Sequence, residues 1–123
     1  MDVYLYITGG FFLFFGVNGL LRPQQSVAYP FSMVADDIDA RHYLRAGAGG
    51  VTVALALLFI AGGLVPQLGF TSLVCAVVVM AGLLLGRVTS LILDGRPSTF
   101  IFGAAFGELL GVVFGLFWLS QIP

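Results

Sequence analysis

Glu108 stands inside an apolar run from Ser98 to Leu119, where a carboxyl group is costly unless it finds a partner or a proton. Counted from Ser98, it lies ten residues in, about 15 Å along a helix and close to the middle of a bilayer. Arg87, in the preceding apolar run, is the natural partner. If the two runs form a helical hairpin, Glu108 sits about 5 Å deeper than Arg87, a gap an arginine can bridge. Arg87 could instead reach outward to Asp94, seven residues on and on the same helix face. Arg45, at the start of another apolar run, completes a candidate polar cluster of Arg45, Arg87, Asp94 and Glu108. Such a cluster could hold an anionic head group, a quinone or a proton. Equally, it could only neutralise itself and fix helix register, which is an expensive device in lipid. Asn18, in the first run, is a further candidate for a bond across helices.

Other chemistry finds little support. Serine, histidine and aspartate do not occur in a nucleophilic order, and no phosphate-binding glycine loop or metal-binding helix motif is present. His42 is the sole histidine and Cys75 the sole cysteine, so a histidine- or cysteine-built metal site within one chain is not expected. The Asp36, Asp37, Asp39 group reads as helix capping and solvated charge rather than a cation site. Asp94-Gly95 alone does not make the paired-aspartate motif of the CDP-alcohol phosphotransferases. The expectation is therefore no enzyme, no cofactor and no metal. With no lysine and a net charge of −1, no nucleic-acid partner is expected either.

These residues are carried by a chain of 123 residues that is 59% hydrophobic and 9% charged, with a mean hydropathy of +1.07. The apolar residues fall in blocks long enough to cross a bilayer. Four spans are expected, at about 3–21, 46–65, 68–93 and 98–119, joined into a single integral membrane domain over 1–123. Pro66-Gln67 and Asp94-Gly95-Arg96-Pro97 are short links that force antiparallel neighbours. The fold class is thus all-α, a transmembrane four-helix bundle whose first partner is the lipid bilayer. Loop 22–45 is the one substantial segment outside the spans. Its first half, to Met33, reads as irregular; Asp36–Asp39 then opens a short interfacial helix that feeds the second span. Ser26-Val27-Ala28 has cleavage-like spacing, but Asp2 stands where a basic n-region would, so the first span is expected to be retained.

All five arginines fall in or beside the loops 22–45 and 94–97. By the positive-inside rule those loops are cytoplasmic and both termini lie outside. Glycines recur at Gly103, Gly107, Gly111 and Gly115, and again at Gly82 and Gly86. At that spacing they form small-residue stripes along which helices can pack closely, and Gly47, Gly49 and Gly50 crowd the second span. Tight packing is accordingly expected among the second, third and fourth helices. Phe11, Phe12, Phe14 and Phe15 read as lipid-facing or bundle-filling, and Trp118 as an interface anchor.

Two stretches together resemble the DUF4345 family. One is the arginine-plus-diglycine entrance from Arg41 through Arg45 to Gly49 and Gly50. The other is Gly86-Arg87 followed by Asp94-Gly95, Pro97-Ser98 and then Glu108. Ala48 departs from the bulkier residue expected before the diglycine. The resemblance implies a small bacterial four-helix membrane protein, broadly DoxX-like, residing in the inner membrane and without an established activity. A label linking some relatives to phage infection implies a partner role. Two functions follow as expectations. The first is a non-enzymatic interaction or accessory protein, acting as a homo-oligomer or in a larger membrane complex. The second is a ligand-binding or transport-type bundle built on the Arg45, Arg87, Asp94, Glu108 cluster.

Overall fold

The computed structural model describes residues 1–34 and 36–123. Among them four helices are long and apolar enough to cross a membrane. α1 covers Asp2–Leu21, α2 Ile38–Leu64, α3 Gly69–Asp94 and α4 Thr99–Ser120. The chain is an all-α bundle, as its apolar blocks require: in lipid every backbone N–H and C=O must be satisfied within its own segment.

The expected short helix at the end of the first loop is present, Ile38–Leu44, and it feeds the second span without a break. It starts at Ile38 with Asp37 as N-cap, whose Oδ1 accepts from the Ala40 N–H at 2.7 Å. The helix then runs through a π-helical stretch, Arg45–Val51, into the apolar part from Thr52 to Leu64. No proline interrupts 38–64, so nothing forces a break. The first half of the preceding loop is also more ordered than its composition suggests. Gln24–Ala28 forms a π turn and Tyr29–Phe31 a 3-10 turn. Pro30 sits in a first turn, where its missing N–H costs nothing. Ser32, at φ 58°, reverses the chain, and Ala28 then packs against Leu44 of α2.

α1 and α2 meet along a seam of small residues. A Cβ on Gly9 would collide with Ile60, one on Gly16 with the Val53 backbone, and one on Gly19 with the Ala48 carbonyl. The π stretch, rich in glycine and alanine, supplies the other side of this seam, with Gly49 against Leu20. The closest helix packing therefore involves the first span, which the glycine count did not single out.

The core lies at the end of the bundle that carries the termini. Leu5, Phe59 and Ala76 are fully buried there, with Tyr4, Phe12, Leu58 and Cys75 packed around them. The Phe12 ring meets Phe59 edge-on at 5.3 Å, whereas Phe11, Phe14 and Phe15 are exposed. Ser72, also fully buried, donates to the Leu58 carbonyl at 2.8 Å and lies against Gly62. Toward the loop end the bundle opens. No described residue of α3 beyond Met80 is buried, and in α4 only Gly115 is. Phe31 closes part of this end, its ring 5.6 Å from that of Phe100 at the start of α4.

Candidate functional site

Leu73, Ala76 and Met80 mark the face that α3 turns toward the bundle, and steps of three and four residues bring that face on to Arg87. In α4, Gly111 and Gly115 touch Met80 and Val77 of α3, and Glu108 precedes them by three and seven residues. The same contact line thus carries both charges, and they meet. Arg87 Nε donates to Glu108 Oε2 at 2.6 Å and Nη2 to Oε1 at 2.7 Å. This parallel fork is the strongest arrangement available to an arginine and a carboxylate. The side chains are 24% and 13% exposed, so the pair is largely withdrawn into the helix interface. It is the single ion pair among the described residues.

The rest of the proposed cluster does not assemble. Asp94 accepts from its own helix, from Ser90 Oγ at 2.9 Å. It sits at the helix end, two turns beyond Arg87, whose fork is already filled by Glu108. Arg45 donates instead to the Leu20 carbonyl, one of the groups left without an intrahelical partner at the end of α1. Asn18 likewise bonds within α1, to the Phe14 carbonyl at 2.7 Å, and accepts from Arg22 at 3.4 Å. Arg41 reaches the Asp37 and Asp36 backbone carbonyls rather than a carboxylate.

Only half of the long glycine stripe meets a helix. Gly111 and Gly115 lie against α3, but a Cβ on Gly103, Gly107, Gly82 or Gly86 would meet nothing within 4 Å. The reason is geometric. Four residues advance a helix by about 400°, so each step of the stripe turns about 40° and its two ends face about 120° apart. One straight neighbour cannot follow that drift.

Tyr4 was not legible as a site residue. Its hydroxyl donates to the Gly111 carbonyl at 2.8 Å, joining the first helix to the last. Gly115 makes room for it, since a Cβ there would stand 2.7 Å from the Tyr4 oxygen. The available signal was a polar atom in an apolar span, which must find a partner.

A groove of about 470 Å³ opens between α3 and α4 on the loop side of the ion pair. Its walls include Leu84, Leu91, Ile101, Phe102 and Ala105, and Arg87 lines it as well. At its rim the Arg96 guanidinium stands over the Phe102 ring, 5.4 Å from the centroid.

Four long apolar helices with an ion pair between the last two define the class: a helical membrane bundle. Within that class the chain belongs to the DUF4345 family, whose model, described as a domain of unknown function, matches residues 1–119. No curated protein and no solved structure matches it.

Proposed function

We propose that this chain is a non-enzymatic, multi-pass protein of a bacterial inner membrane that acts by association, with further copies of itself or within a larger membrane complex. The supporting observation is the bare face of α4. Gly103 and Gly107 are exposed with open space beyond them, on the side of the helix away from the groove. In lipid, such small residues allow another helix to approach closely. The arginine distribution gives the orientation, with loops 22–45 and 94–97 cytoplasmic and both termini outside. The test is disulfide crosslinking of Gly107→Cys, in a Cys75→Ser background, in native membranes. A specific crosslinked species that Gly103→Leu abolishes supports association; no crosslink at Gly107 or Gly103 sinks it.

A second reading, a ligand-binding bundle, is favoured by the groove beside Arg87. Its volume falls within the range of small-molecule sites, about 300–1,000 Å³. On this reading Arg87 and Glu108 hold the two walls together, and Arg45 and Asp94 take no part.

A further inference from the structure

We propose that the groove between α3 and α4 is a phospholipid site, with one acyl chain lying between the helices and the phosphate held at the Gly95–Thr99 turn. The proposal rests on the ligand-binding reading above and names its ligand.

Three observations on different parts of the groove converge. The walls are apolar, formed by Leu84, Leu91, Ile101 and Phe102. Gly86, which also lines the groove, leaves space where a side chain would stand. A hydrocarbon chain suits these walls, and the surrounding bilayer supplies one. At the rim, Arg96 is exposed and has no carboxylate within ion-pair distance among the described residues. It rests on Phe102, itself a wall residue, so a free cation and the apolar channel are continuous. Beside it begins α4, a helix of 22 residues whose N-cap, Ser98, makes no side-chain capping bond. The N–H groups of its first turn are therefore open to an anion, and the helix dipole favours one there.

The charges inside the groove decide where the phosphate goes. Arg87 lies about 10 Å below the turn, and its Nε and Nη2 are taken by Glu108. The deep end is neutral and suits hydrocarbon. Asp94, near the rim, is hydrogen-bonded by Ser90 of its own helix. Arg96, just outside the last span, and the first turn of α4, which opens that span, are left as the anion-binding elements.

The test compares dioleoyl phosphatidic acid with dioleoylglycerol, which share acyl chains and differ in the phosphate. Each is added to the full chain in a neutral detergent, and retained lipid is read by native mass spectrometry. The expected result is preferential retention of the phosphatidic acid. Arg96→Gln should lower that preference about fivefold, the upper range for an exposed ion pair. Gly86→Leu, whose Cβ has nothing within 4 Å and whose longer side chain would occupy groove space, should lower retention of both lipids. Equal retention of the two, abolished by Gly86→Leu, overturns the phosphate assignment while the groove stands as a ligand site. A preference that Arg96→Gln leaves unchanged also overturns the assignment. Retention of neither lipid, or retention that Gly86→Leu does not alter, overturns the proposal and the ligand-binding reading together.

Discussion

Glu108 and Tyr4 are both polar groups within spans, and the bundle treats them differently. Glu108 is matched by a charge, so removing either partner leaves the other uncompensated. Glu108→Gln or Arg87→Met should each destabilise the bundle by about 3–5 kcal/mol. The double variant Arg87→Met, Glu108→Leu should recover most of that loss if the pair serves only to hold α3 against α4. Thermal unfolding in detergent measures all three, and a double variant no better than the singles would reject that role. Tyr4 gives a single neutral hydrogen bond to Gly111, so Tyr4→Phe should cost only ~0.6–1.7 kcal/mol. The glycines separate in the same assay. Gly115→Ala drives a methyl into Val77 and the Tyr4 hydroxyl and should destabilise. Gly103→Ala and Gly107→Ala meet open space and should be neutral or stabilising, by up to about 1 kcal/mol, through helix propensity. Equal losses at all three positions would contradict the geometry. At this scale the sequence exposed Glu108 and Arg87, because charge in an apolar run is conspicuous. It concealed Tyr4, whose partner is a backbone carbonyl at a glycine far along the chain.

Among the elements, the α1–α2 seam is the most sensitive to added volume. Gly19→Ala places its methyl 2.8 Å from the Ala48 carbonyl oxygen and 3.1 Å from the Gly49 nitrogen. Backbone cannot yield as a flexible side chain does, so a loss of about 1–3 kcal/mol is expected. Gly10→Ala, next to Gly9 in the chain but turned about 100° away and facing nothing within 4 Å, is the control that should lose no stability. The α3–α4 turn has a different constraint. Gly95 holds φ 97° with ψ −166°, a region that side chains avoid, so Gly95→Ala should cost on the order of 1–3 kcal/mol. Spans and turns were legible because hydropathy and proline-glycine punctuation are local. The choice of which small-residue face meets which neighbour was not. Glycine counts favoured the last helices, whereas the seam of α1 uses Gly9, Gly16 and Gly19, whose irregular spacing forms no evident repeat. The helix at Ile38–Leu44 was legible from its acidic start, but hydropathy alone did not show that it runs unbroken into the span: its charges solvate a helix end that projects beyond the apolar run.

As a whole, the molecule is two hairpins, α1 with α2 and α3 with α4, buried against each other near the termini and diverging toward the loops. The proposed orientation can be read directly. In a Cys75→Ser background, Met33→Cys and Ser98→Cys should react with an impermeant maleimide from the cytoplasmic side only, and Gln121→Cys from the opposite side. Any other pattern would invert or break the assignment. The joint between the hairpins also has a bearing on biogenesis. The hydroxyl near the start of α1 is satisfied by the Gly111 carbonyl, which is synthesised 107 residues later. Of the four helices, the earliest made is thus the last to be completed. A nascent chain arrested before α4 would carry an unmet phenol and an unmatched guanidinium in lipid, two marks by which a membrane protease could tell an unfinished copy from a finished one.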